Sequence, residues 1–207
     1  MGPANLDIVI VAEPNGIIRT EMDGVRILFD GIPAPMIYVL ANQCAAVVPY
    51  LAAFKPTTHV QVEYQGVRSD PFEISVSPTG PGLFTVNMQG TGQAAMQNQD
   101  GVTPNSTNAP AAPGSVVVLW LTGGGVTNPP GVDGRLETSI RPLPVASCSA
   151  EIGGRPAVVE YCAQSQYVGL FQVNARIDPA VAPGDAVPVK VTLGGASSQD
   201  GATMVVR

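Results

Sequence analysis

Two stretches of this chain are versions of one another. Residues 25–38 (VRILFDGIPAPMIY) align with residues 148–161 (CSAEIGGRPAVVEY) at one constant offset. Gly31, Pro33, Ala34 and Tyr38 fall on Gly154, Pro156, Ala157 and Tyr161. A second block follows after a small insertion around residues 164–169. There Gln43 falls on Gln172, Gly66 on Gly195 and Ser69 on Ser198. A repeat on this scale means that one supersecondary unit is used twice, and the fold must accommodate two copies of it.

The repeated unit reads as β structure. Short Val-rich runs at 7–12, 25–29, 36–39, 45–48, 59–64, 72–76 and 83–87 are strand signals. In the second half they recur at 115–121, 146–152, 157–161, 170–177, 187–193 and 202–206. Val60, Val62 and Tyr64 alternate with Gln61 and Glu63, the period of a strand with one buried face. Asp30-Gly31, Gln65-Gly66, Gly153-Gly154 and Gly194-Gly195 separate the runs with residues that tolerate positive φ. The chain carries 23 Gly and 20 Pro in 207 residues, a load that disfavours long helices. Short strands at this spacing predict an all-β fold of two tandem sandwiches: residues 1–88, a Pro/Gly/Asn-rich connector at 89–112, and residues 113–207.

Composition removes several function classes. The net charge is −6, with 10 basic residues, so the chain lacks the electrostatic footprint of a nucleic-acid binder. No apolar run approaches the ~20 residues that a spanning helix needs. Charged residues are 13% and hydrophobic residues 45%, the reverse of a disordered chain.

The alignment also predicts an absence. The second copy opens with a clear strand at 115–121, followed by Gly123-Gly124-Gly125. Carried back, Gly125 falls on Gly2, so the first sandwich is expected to lack its opening strand. Three explanations stay open: the chain is a piece of a longer protein, residues 6–12 or the connector fill the gap, or a neighbouring subunit donates a strand. Leu6, Ile8, Val9, Ile10 and Val11 are the first strand-exchange candidates.

These motifs, taken together, resemble a known family. Besides 25–38 they include 41–43 (ANQ), 48–50 (VPY), 62–69 (VEYQGVRS), 81–84 (PGLF), 98–101 (NQDG), 113–118 (PGSVVV), 131–134 (GVDG), 152–154 (IGG) and 172–174 (QVN). The chain resembles the acidobacterial (Solibacter-type) C-terminal domain family of large secreted proteins, whose domains are similar to the immunoglobulin-like TIG/IPT fold. The resemblance implies two tandem immunoglobulin-like (TIG/IPT-like) β-sandwiches in an extracellular or cell-surface setting. It implies no activity and no catalytic residues. Family members usually carry the strand before Gly2, and this chain departs from them there.

Few residues suggest chemistry. His59 is the sole histidine, and it heads an alternating strand with no G-x-S-x-G elbow to serve. Asp23, Asp30, Asp100, Asp133 and Asp200 stand where turn geometry already explains them. Asn98, Asp100, Asn105 and Asn108 share a polar loop that could offer hard oxygen ligands to calcium, without EF-hand spacing. Trp120, the only tryptophan, is expected in a sandwich core rather than on a sugar platform. Asn105-Ser106-Thr107 matches the N-glycosylation pattern, which is read as coincidence.

Cys148 and Cys162 flank a hairpin turn that brings their strands together. A disulfide and a pair of buried thiols both remain open. A disulfide would place the chain in an oxidising compartment. Cys44 is expected in the core. Residues 1–12 lack a basic n-region and Asp7 interrupts the apolar run, so no signal peptide is read. The expected function is a non-enzymatic extracellular structural or adhesive module, without cofactor or metal. Its sharper form is a subunit joined head to tail by strand complementation. The alternative is a carbohydrate- or surface-binding module excised from a larger secreted protein, with polysaccharide or parent-protein domains as partners.

Overall fold

The computed structural model describes residues 12–137 and 141–207. The strand-exchange candidates Leu6, Ile8, Val9, Ile10 and Val11 lie outside the described residues. The fold is all-β with several sheets, consistent with sandwich packing. A single 3-10 turn over Tyr50–Phe54 is the one helical element among the described residues.

The described residues form two compact units. The first comprises 12–78, 130–137 and 166–169. Its strands are β1 (Val25–Phe29), β2 (Ile32–Pro33), β3 (Met36–Val39), β4 (Cys44–Ala46), β5 (Thr57–Tyr64), β6 (Val67–Arg68) and β7 (Phe72–Ser75). One sheet runs β2-β1-β5-β6, with β7 also on β5. The hairpin β3-β4 forms a separate two-stranded sheet. Val25, Ile27 and Phe29 of β1 pack with Ala34, Met36 and Val39 to make a small core. Arg26, Glu63 and Arg68 line the opposite, solvated face, where Arg68 Nε donates to Glu63 at 2.7 Å.

The second unit comprises 79–129, 141–165 and 170–207. Its strands are β8 (Gly82–Leu83), β9 (Gly92–Gln93), β10 (Met96–Gln97), β11 (Val116–Thr122), β12 (Thr127–Asn128), β13 (Leu143–Pro144), β14 (Cys148–Ile152), β15 (Arg155–Gln164), β16 (Phe171–Arg176), β17 (Gly184–Leu193), β18 (Ala196–Ser197) and β19 (Ala202–Val206). They join in the order β10-β11-β16-β15-β14-β17-β19-β9. Val117, Leu119 and Leu121 of β11 are fully buried in a core shared with Val173, Val191 and Leu193.

The sequence repeat is a structural repeat to the level of individual backbone pairs. In the first unit Val25 pairs with Tyr64, Ile27 with Val62 and Phe29 with Val60. In the second, Cys148 pairs with Leu193, Ala150 with Val191 and Ile152 with Val189, each the aligned position. Both copies carry a β-bulge at the same place, between Met36 and Tyr38 and between Val159 and Tyr161. Ser69 accepts the Val62 N–H through its hydroxyl at 3.1 Å and returns its own N–H to the Val62 carbonyl at 2.9 Å. Ser198 does the same to Val191 at 3.1 and 2.8 Å. The turn pairs Asp30-Gly31 and Gly153-Gly154 both have positive φ, as tight hairpins require.

The compact units are cut differently from the repeat. Residues 79–112, read from sequence as the end of the first copy and a connector, lie in the second unit. Backbone pairing of β8 and β10 with β11 and of β9 with β19 holds them there, and two polar side chains add to it. Asn105 is 3% exposed and brackets Val205, accepting its N–H at 2.8 Å and donating to its carbonyl at 2.9 Å. Gln199 treats Leu83 the same way at 2.9 and 2.7 Å. Residues 130–137 lie in the first unit instead. Asp133 accepts the Tyr50 N–H at 2.8 Å at the start of the 3-10 turn. A Cβ at Gly131 would stand 2.3 Å from the Tyr50 ring, so only glycine fits.

Candidate functional site

The two copies differ at one edge strand. In the second unit β16 is paired on both sides, by β15 and by β11. In the first unit β4, the counterpart of β16, is paired by β3, and no other strand among the described residues adds to it. The β11 register shows what the open position would receive. Val117 lies opposite Ala175, Leu119 opposite Val173 and Leu121 opposite Phe171. The aligned acceptor positions in the first unit are Ala46, Cys44 and Asn42. Val173 and Ala175 are fully buried, whereas Cys44 and Ala46 are only half-buried. Gly169 closes the Val47 end of this edge, where a Cβ would meet Val47 at 3.0 Å.

The sheet opposite is open in the same way. Val62 and Tyr64 are 38% and 36% exposed, while their counterparts Val191 and Leu193 are 0% exposed. Phe72 of β7 is 71% exposed, and Ala202 at the matching end of β19 is buried. The side chains that enclose Val191 and Leu193 include Leu119 and Leu121 of β11. Among the described residues, no strand in the first unit holds the place that β11 holds in the second, next to both the unpaired edge and the exposed apolar face. Burial lifts the Cys44 thiol above its ordinary pKa, so it is the neutral thiol that lies along the edge.

The residues singled out for chemistry are engaged elsewhere. Asp30 accepts the His59 N–H, the Lys55 ammonium and the Thr58 hydroxyl, each at 2.9 Å. The backbone N–H of His59 contributes most, and the set holds the carboxyl well below the usual range. This arrangement locks the β1-β2 turn onto β5. His59 itself is exposed, with Nδ1 3.3 Å from Asp30 and Nε2 3.6 Å from Glu73. In the calcium-candidate loop, Asn98 Oδ1 accepts from Asn105 at 3.0 Å, and Asp100 accepts the N–H groups of Val102 and Thr103. Among the described residues, no group of three or more His, Cys, Asp or Glu side chains could hold a metal ion. The burial of Asn105 removes the acceptor side chain of the glycosylation motif from solvent.

Trp120 departs from expectation. It lies on the face of β11 opposite Leu119 and Leu121, half-buried, and donates Nε1–H to Gln97 at 2.6 Å. Cys148 and Cys162 are free thiols near one another, and both pack against the core of the second unit. No local pattern marks Asn105, Gln199 and Asp133 as long-range anchors, since each bonds a partner some eighty or more residues away.

No family model, curated protein or solved structure matches the chain.

Proposed function

We propose that this chain is a non-enzymatic structural or adhesive module of the cell exterior, built as two tandem immunoglobulin-like sandwiches of the TIG/IPT kind. Its first unit accepts a strand from a neighbouring subunit, so that chains join head to tail. The open β4 edge, at the position where β16 carries β11, is the observation that supports this reading most directly. The exposed Val62, Tyr64 and Phe72 beside it support it further, because an incoming apolar strand would cover them. The motif resemblance to a family of large secreted proteins supports the exterior setting. The neighbour's residues 6–11 are the proposed donor: Leu6, Ile8 and Ile10 repeat the alternation of Val117, Leu119 and Leu121.

Light scattering with negative-stain microscopy tests the reading on the whole chain. Linear assemblies of the 21.3 kDa chain are expected, together with a monomer, lighter than that, when residues 1–11 are deleted. A wild-type chain that stays monomeric at every concentration overturns self-assembly. Assemblies that survive the deletion overturn residues 6–11 as the donor.

A further inference from the structure

We propose that Cys148 and Cys162 are a disulfide-forming pair that staples the core of the second unit. The two residues come from strands that part company. β14 pairs with β15 only over 150–152 and then keeps to β17, while β15 bends at its bulge and continues along β16. Cys148 and Cys162 stand in the diverging arms, and their side chains lie near one another over the same core.

The repeat supplies an independent view of this place. The aligned residues in the first unit are Val25 and Val39, and both are buried in its core. The position therefore holds two small apolar side chains in one packed cluster, and in the second unit both are cysteine. Two sulfurs already near one another need only small rotamer changes to reach bonding distance. Cys44, aligned with Val173, has no second cysteine in its own unit.

The bond forms by thiol–disulfide exchange with an external disulfide such as oxidised glutathione. The nearby Cys162 thiol favours the Cys148 thiolate. The Cys148 thiolate attacks the external disulfide and expels one glutathione thiolate. Cys162 then loses its proton and attacks the Cys148 sulfur of the mixed disulfide, expelling the second glutathione. Two cysteine thiols and one external disulfide give one internal disulfide and two external thiols.

The full chain, equilibrated with oxidised glutathione, is denatured, alkylated and mapped by mass spectrometry. The expected result is one alkylated cysteine, Cys44, and a cross-linked peptide pair containing Cys148 and Cys162. The oxidised chain should melt about 10 °C above the reduced one, the scale for a short closed loop in a domain of this size. The double variant C148V/C162V, which copies the first unit, should fold and show no redox dependence of its Tm. Three alkylated cysteines, or a cross-link through Cys44, overturn the pairing. A bond that leaves Tm unchanged overturns the staple.

Discussion

Val62 and Val191 occupy the same backbone register in two copies of one hairpin, each bracketed by a serine seven residues on, yet Val62 is 38% exposed and Val191 is fully buried. Local structure is identical and the environment is not. The difference therefore comes from what lies across the core, and in the second unit that includes β11.

This contrast sets the cost of truncation. Val191→Ala should destabilise the second unit by about 2 kcal/mol, through lost burial and a residual cavity. Val62→Ala in a chain kept monomeric should cost less than about 0.5 kcal/mol, as for an exposed position. Urea denaturation of the two variants checks this. Equal costs would mean that Val62 is covered in solution.

The acceptor register predicts a specific cross-link. By analogy with Leu119 opposite Val173, Ile8 of the donor should lie opposite Cys44. Ile8→Cys in a C148V/C162V background should give disulfide-linked ladders on a non-reducing gel. A linkage confined to single chains would place the segment in its own acceptor. No linkage at Ile8, with linkage at Val9→Cys instead, would shift the register by one.

Asp30 predicts a pH dependence whose sign is fixed. Its folded-state pKa lies below the unfolded value of about 3.9. Its contribution is then fully present above that value and is lost as pH falls towards the depressed folded value. The Tm gap between wild type and Asp30→Asn should be open at pH 7 and narrow below about pH 4. A gap that is constant with pH would remove the charge from the explanation and leave only hydrogen bonding.

Asn105→Ala leaves the Val205 N–H without its acceptor, while the Val205 carbonyl keeps the Ala111 N–H at 3.1 Å. One buried donor left without a partner costs about 1–3 kcal/mol. Hydrogen exchange should show the Val205 amide losing protection, along with a lower urea midpoint. Protection retained at Val205 would mean that water or a neighbour replaces the amide.

The strands and turns were legible because their signals are local. Val25–Phe29, Met36–Val39 and Ala202–Val206 fall where the apolar runs predicted them. Gly-containing turn pairs marked the hairpins because few other residues accept positive φ. The alignment carried the repeat down to the register, since a one-residue slip would turn every side chain to the other face. The orientation of Trp120 was not legible, because residues 116–121 are apolar on both faces and the period of two is silent. The allegiance of 79–112 and 130–137 was not legible either. It rests on long-range backbone pairing of very short strands and on Asn105, Gln199 and Asp133, each a polar side chain reaching far along the chain. The open edge was half legible. The alignment predicted a gap, but only Val62, Tyr64 and Phe72 in place show how much apolar surface goes with it.

The proposed head-to-tail assembly would have a direction. Each added subunit would fill one open edge and bring one of its own, so a row of such chains would always end in an empty acceptor at the same end. Growth and capping would then be chemically different events at the two ends. A free peptide of residues 1–12 would stop growth only at the end that still lacks a strand.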